Sequence, residues 1–304
     1  MSDHEYDIGD EIETAVVTGA TGGVGSWVVD RLADRGVDVV GVDLDRPSGT
    51  RSNAEFRAVD LTEQGPTVEV ILEADPDAVV HFAAIPHPLD DPGTRVFVNN
   101  TLSTYNVLVA AGRANAEVVW TSSQAAYGAL YAEQAWVPDY LPLDETHEFR
   151  PEDPYGTSKV CSEEIAKMVA RRYDVPVTSI RPATIYGPGE YKTRPQREGF
   201  DLSNATVSGN LWSFVDVRDV TRMVEAALAA DYDGHEAFLC VADDNYLGQS
   251  TTELIEAAAG ELPNVCDLEG TQAALSNQKA ADVLDWEPAY GWAEAIKESP
   301  PTWL

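Results

Sequence analysis

The sequence predicts an α/β fold, a doubly wound parallel sheet with a small interleaved C-terminal lobe, and three observations predict it. Short Val-rich runs at residues 14–18, 38–43, 78–82, 118–122 and 177–181 alternate with segments of helical period at 27–35, 94–113 and 155–173. Strand, helix, strand in repetition makes a parallel sheet covered on both faces. A glycine-rich turn joins the first strand to the first helix. After residue 181 the pattern gives way to an irregular stretch over 186–210, then to a helix at 217–230, a strand at 237–241 and helices near 251–259 and 276–284. Residues 1–182 therefore read as one layered unit, rejoined by about 211–242, and residues 183–304 as a small substrate-binding lobe.

Composition narrows the function. With 304 residues, 44% of them hydrophobic, the chain can fill a sizeable core. Its 52 acidic and 20 basic side chains leave a net charge of −32, a field that repels phosphate backbones and anionic lipid and argues against nucleic acid or a membrane as partner. The acids are spread along the chain and only five of the cations are lysines, the pattern of a protein adapted to high salt. No apolar run is long enough to span a bilayer and the first residues lack a signal peptide's basic and apolar parts, so a cytoplasmic location is expected. Cys161, Cys240 and Cys266 lack CxxC spacing and read as core thiols. The histidines are scattered, so no metal is expected.

The first element justifies the sheet and points to a ligand. Residues 14–25 read TAVVTGATGGVG, a strand running into Gly19, Gly22 and Gly25 as a helix opens. The first glycine permits a tight turn, the second lets backbone approach a pyrophosphate, and the third allows close helix-to-sheet packing. The helix N-terminus adds free N–H groups and positive potential. This is the Rossmann-like arrangement, and it calls for NAD or NADP. Asp43 ends the next strand 18 residues beyond Gly25, where a carboxylate accepts the ribose 2′-OH of NAD and repels a 2′-phosphate. Arg46, three residues on, leaves NADP open.

The second constellation carries proton chemistry. Tyr155 and Lys159 stand four apart in a helix that follows Pro154, on one face. An adjacent ammonium favours the phenolate of a group whose free pKa is about 10. Thr121, Ser122 and Ser123 close the strand VVWTSS, and ligands of open parallel sheets sit at the strands' carboxyl ends. A hydroxyl there polarises a reacting oxygen while a tyrosine exchanges its proton.

Together with HFAA at 81–84, Asn100, TSSQAAYG at 121–128, YGTSK at 155–159 and RPATIYGPG at 181–189, these motifs resemble the extended short-chain dehydrogenase/reductase family. The resemblance runs from about residue 14 to 288. It implies Ser123, Tyr155 and Lys159 as the catalytic set. It also implies Gly19, Gly22, Gly23, Val24 and Gly25 around the pyrophosphate, Asp43 at the adenosine ribose, Asp60 and Leu61 at the adenine, Ala83 at the nicotinamide side, and Asn100 as a structural and cofactor-side residue. A homodimer is implied as well.

Within that family the chain looks compact. Fewer residues than in many nucleotide-sugar epimerases follow YGPG, Trp212 stands where many carry an arginine, and Thr184 where many carry an asparagine. These departures lead to the expectation of an NAD(P)-dependent sugar or uronate dehydrogenase oxidising a monosaccharide at C1 to the lactone, with Trp212 stacking on the sugar. Gln124, His87 and Thr184 are the further candidate substrate contacts, and Arg194, with Lys192 and Arg197, a candidate site for a carboxylate or phosphate. The alternatives are a UDP-sugar 4-epimerase or dehydratase that keeps NAD bound, and a cofactor-sensing binding protein.

Overall fold

A computed structural model of the chain describes residues 6–8, 12–134, 136–188, 194–292 and 301–304. Seven parallel strands form the central sheet: β1 (Thr14–Thr18), β2 (Asp38–Asp43), β3 (Ala54–Ala58), β4 (Ala78–His81), β5 (Glu117–Thr121), β7 (Val177–Pro182) and β10 (His235–Cys240). Their order across the sheet is β10-β7-β5-β4-β1-β2-β3. The chain begins in the middle, builds outward to β3, then returns and builds the other way, so its direction reverses between β1 and β4. That crevice at the carboxyl ends is where a doubly wound sheet takes a ligand.

The strands are Val- and Ala-rich because both faces are covered. One face packs on α1 (Gly25–Asp34) and α6 (Val217–Ala229), the other on α2 (Gln64–Ala74), α3 (Gly93–Ala114) and α4 (Pro154–Tyr173). β3 and α2 escape the sequence reading for a physical reason. β3 is a half-exposed edge strand with the sequence AEFRA, and α2 buries only Thr67, Val70 and Ile71.

Beyond the sheet, β8 (Thr184–Tyr186) pairs with β9 (Phe214–Asp216), and β6 (Tyr140–Leu141) with β11 (Val265–Cys266). The short α5 (Arg194–Glu198) and α7 (Thr251–Ala259) belong to this region, and α8 (Gln278–Leu284) packs back beside α6. A separate apolar cluster holds the region together, built on Leu141, Trp212, Phe214, Tyr246, Leu254 and Ile255. Among the cysteines only Cys240 is buried; Cys161 and Cys266 are partly exposed, a correction to the expectation of three core thiols. No helix among the described residues is long and apolar enough to cross a membrane.

At the sheet's amino-terminal edge, Glu117 begins β5 with Oε1 buried and unpaired, and burial pushes its carboxyl up to about 8. A carboxyl whose folded value lies above its unfolded 4.5 contributes its full stability below that value and loses it as pH rises through about 8. Glu117→Gln, which mimics the protonated form, is therefore expected to match the native chain near pH 4.5, to exceed it increasingly up to about pH 8 and to hold a constant advantage above that. Urea unfolding across that range checks this, and a difference independent of pH overturns it.

Candidate active site

A cavity of about 560 Å³ opens along the carboxyl edge of the sheet. Strand order places the candidates along it in sequence: Asp43 after β2, Gly19 after β1, Ala83 after β4, Ser123 after β5 and Thr184 after β7. Three strand spacings separate Asp43 from Ser123, roughly 14 Å, the scale of a dinucleotide.

The glycine turn is shaped by close backbone contact. Gly19 has φ +68°, and a Cβ there would stand 2.7 Å from the N of Ala83 on the neighbouring strand end. A Cβ on Gly25 would lie 2.0 Å from the Gly19 carbonyl, so only glycine lets α1 start so near the turn. Gly23 differs, since a Cβ there would meet nothing within 4 Å and would project into open space. Val24 sits at the N-cap of α1 without a side-chain cap. Ser26 N and Trp27 N donate to Gly22 O (3.1 Å) and Val24 O (3.0 Å), which leaves the N–H groups of Gly23, Val24 and Gly25 on the cavity wall to receive an anion.

Asp43 accepts from Thr21 N (2.9 Å) and Thr21 Oγ1 (2.7 Å) on Oδ2 and from Leu44 N (2.8 Å) on Oδ1. The carboxylate is thereby fixed, with one acceptor direction of Oδ1 still open to a ribose hydroxyl. Asp60 and Leu61 line the same end. The hydroxyl and N–H of Thr62 hold the Asp60 carboxyl below its ordinary range. Arg46 is exposed and does not line the cavity. Asn100 does not line it either. Its amide clamps Ile85, accepting from Ile85 N (2.8 Å) and donating to Ile85 O (3.0 Å), so it acts as a strut for the loop after β4. The residue that reaches the cavity there is its neighbour Asn99.

At the other end Asp153 caps α4, accepting from Tyr155 N (2.9 Å) and Gly156 N (2.8 Å), with Pro154 in the first turn. This cap sets where the helix starts and hence where Tyr155 stands. A Cβ on Gly156 would come within 2.5 Å of Ala125 O, so the glycine lets the turn after β5 press against α4. That contact sets the Ser123 hydroxyl, which accepts from Ala125 N (3.0 Å), beside the Tyr155 phenol, where it acts to lower the phenol's pKa. Lys159, 3% exposed, donates to Thr121 O (2.7 Å) with its ammonium 5.5 Å from the Tyr155 ring centre.

Burial dominates the electrostatics. It pushes the Tyr155 phenol up to about 12, against the lowering effect of Ser123, and pulls Lys159 down to about 7, against the raising effect of Glu163. The expected lowering of the phenol by the ammonium is not found: desolvation is the largest influence on Tyr155, and Lys159 is not among the others. His81, beneath the site, is pulled down to about 3 by burial and by Lys159. The Thr104 hydroxyl gives its proton to Asn100 O (2.8 Å), so His81 donates from Nε2 to Thr104 (3.1 Å) and accepts at Nδ1 from Thr18 (2.6 Å).

The remaining candidates divide. Gln124, His87 and Thr184 line the cavity; Thr184 Oγ1 accepts from Asn210 Nδ2 (2.9 Å). Trp212 does not, which corrects the expectation that it stacks on a sugar. It is 4% exposed within the small cluster, its O accepting from Tyr246 N (3.0 Å), and the left-handed backbone at Leu211 and Trp212 accompanies this burial. Arg194 opens α5 and Lys192 lies outside the described residues. Arg197 is engaged elsewhere, donating to Tyr246 O (3.0 Å) over the Trp292 ring.

Tyr131, edge-on to Tyr155 at 6.4 Å, lines the cavity and was missed, because an aromatic in an irregular segment carries no periodic signal. Behind the site lies a second missed group. Glu163 accepts from Arg181 Nε (2.8 Å) and Nη2 (2.7 Å) and from Ser122 Oγ (2.6 Å). Its one legible trace is the four-residue step from Lys159.

Fold and site define a dinucleotide-binding α/β protein with a serine, tyrosine and lysine beside the ligand crevice. The NAD dependent epimerase/dehydratase family model matches residues 15–240, and the chain belongs to that family. A UDP-glucose 4-epimerase of Mycolicibacterium smegmatis is 30% identical over 316 residues, which span 93% of this chain and 96% of the relative. Among solved structures, MoeE5 in complex with UDP-glucose and NAD superposes with a TM-score of 0.67 at 26% identity, covering 93% of this chain and 95% of that one. A mutated uronate dehydrogenase reaches 0.67 at 20% identity, covering 96% and 89%, a likeness of fold alone.

These findings overturn the expected C1 oxidation of a monosaccharide. The relative that matches nearly end to end is named an epimerase, so compactness does not separate this chain from that activity. The sugar-stacking Trp212 on which the small pocket rested is in the core.

Gly23→Ala adds a methyl where the apo chain has room, directly in the cradle. It is expected to leave the Tm of the ligand-free protein unchanged and to weaken NAD binding at least tenfold by fluorescence titration. Unaltered NAD affinity overturns the cradle assignment.

Proposed function

We propose that this chain is a nucleotide-sugar 4-epimerase that acts on UDP-hexoses and keeps NAD bound through the cycle. The observation that carries this reading is one cavity holding both the uncapped glycine turn and the Ser123, Tyr155, Lys159 set. The name of the full-length relative supports the substrate class. Asp43 fixed at the ribose end and Arg46 outside the cavity favour NAD over NADP.

NAD supplies a reversible hydride acceptor when bound. Ser123 holds the reacting sugar oxygen, and Tyr155 takes its proton as the carbon is oxidised and returns it as the carbon is reduced on the opposite face. Lys159, when protonated, stabilises the phenolate across the 5.5 Å to its ring. The net change is inversion at one carbon. Dehydration would need a further acid and base beside the substrate, yet among the described residues the carboxylates that line the cavity, Asp43 and Asp60, stand at its adenosine end. This favours epimerisation within the family. The small lobe over 183–304 would close on the nucleotidyl part.

Two further proposals concern the state of the protein. Val98, Leu102 and Tyr105 expose an apolar stripe along α3, which supports a homodimer. The net charge of −32 supports adaptation to high salt.

Protein purified and assayed in molar KCl is expected to carry NAD and to interconvert UDP-glucose and UDP-galactose without net NADH formation. Tyr155→Phe is expected to lower turnover by roughly 10³-fold while NAD stays bound. Conversion by the native chain that consumes added NAD, or a fully active Tyr155→Phe, overturns the reading.

A further inference from the structure

Lys159 has to carry its charge almost without water. Its side chain is buried, and its Nζ donates to Thr121 O on β5. Two aromatic rings flank the same ammonium, with Nζ 5.5 Å from the ring centre of Tyr155 and 5.6 Å from that of Trp120. Tyr155 belongs to the proton transfer already described. Trp120, the residue before Thr121, is fully buried and does not line the cavity. Its Nε1 is buried with no hydrogen-bond partner among the described residues. A phenylalanine or a leucine would fill a core position without burying an unpaired donor, so the indole calls for a reason other than packing. Its ring face supplies one. Burial draws Lys159 down to about 7, close to losing its proton at neutral pH, whereas a phenolate at Tyr155 needs the cation beside it. The other groups around the amine do little to hold the charge. Glu163, on the same helix, favours the ammonium, but its carboxylate is taken up by Arg181 and Ser122. His81 on β4, the register partner of Trp120, is neutral, and its charged form would repel the ammonium. Thr121 O satisfies one of three ammonium protons. The face of an indole is the best aromatic acceptor for a cation, and its attraction grows where solvent is excluded.

We propose that Trp120 is a positioning residue for the proton transfer: its indole face holds Lys159 as an ammonium in the absence of water and so keeps the cation beside the Tyr155 phenolate. The inference deepens the reading above and rests on its Tyr155 and Lys159 assignment, not on which sugar is bound. An aromatic face suits this task better than a second carboxylate would. It stabilises the cation without adding a negative charge that would oppose the phenolate forming on the other side of Lys159.

The test reads the titration of Lys159 directly. The chain has five lysines, so NAD-loaded protein carrying carbon-13 at the lysine ε-carbon gives a simple NMR spectrum, in which the Lys159 signal is identified by its loss in Lys159→Met. Growth on 5-fluorotryptophan replaces all seven tryptophans and weakens the ring's attraction for a cation while keeping its shape, so the core stays packed. Among the described residues Lys159 is the one lysine lying over a tryptophan ring. Fluorination is expected to move its titration to lower pH by roughly a few tenths of a unit and to leave Lys167 and Lys279 in place. Trp120→Leu, which removes the face, is expected to move it about one pH unit lower, and Trp120→Phe, which keeps a weaker face, to fall between. A lysine that sheds its proton at lower pH fails the phenolate sooner, so turnover of Trp120→Leu is expected to drop behind that of the native chain as pH rises, by up to about tenfold. A Lys159 titration that fluorination leaves in place overturns the assignment, whether or not the substituted chains fold, and leaves the epimerase reading standing. Full turnover by Lys159→Met overturns the proton-transfer reading on which both rest.

Discussion

The arrangement depends on one buried ion pair. Arg181 on β7 and Glu163 on α4 face each other with side chains 6% and 1% exposed, joined by two parallel hydrogen bonds. Ser122 donates to the same carboxylate, and Arg181 also donates to Tyr127 OH (2.8 Å). Burial raises the Glu163 carboxyl, but the bonds and charge of Arg181 more than reverse this and hold it below its ordinary range. The pair thus ties α4, the end of β5 and β7 to one point, directly behind Ser123 and one helical turn from Lys159. Such a pair adds little over apolar packing, whereas removal of one partner costs about 3–5 kcal/mol because a charge is left unpaired. Its contribution is therefore registry: α4 cannot slide or roll without breaking a desolvated contact.

Around that anchor the site is built largely without charge. The protein carries −32 overall, yet the end of the cavity around Ser123 and Tyr155 is lined by amide, hydroxyl and ring groups, with Lys159 drawn down to about 7 and His81 held neutral. Among the described residues Asp43 and Asp60 are the acids on the cavity wall, at its other end, and most of the rest lie at the surface, where water and salt screen them. Inside, a low dielectric strengthens each dipole, so Ser123, Tyr155 and the helix N-terminus of α1 act on a ligand with little competition from solvent. The glycine turn serves the same end by substituting close backbone for side chains.

Much of this was legible in one dimension. The glycine turn, the strand ending in Asp43, the hydroxyls closing β5 and the Tyr155, Lys159 step all rest on local spacing, and the structure gathers them along one edge. β3 and α2 were not legible because edge exposure removes the apolar periodicity that marks an element. Trp212 misled because an indole reads equally as a sugar platform and as core, and Arg197 because a loop cation does not reveal the carbonyl and ring that hold it.

The sequence by itself determined the fold class, the glycine turn and the positions of the serine, tyrosine and lysine that meet at the cavity, because strand and helix periods, tight turns and an i, i+4 step are properties of neighbours along the chain. The tertiary structure alone decided which side chains are spent on the protein and which remain for a ligand. Asn100 is spent on Ile85, Trp212 on the small cluster and Arg197 on Tyr246, while Ser123, Tyr155 and Lys159 line the cavity. Partner supply and desolvation are set by residues distant in sequence, so no local pattern encodes them.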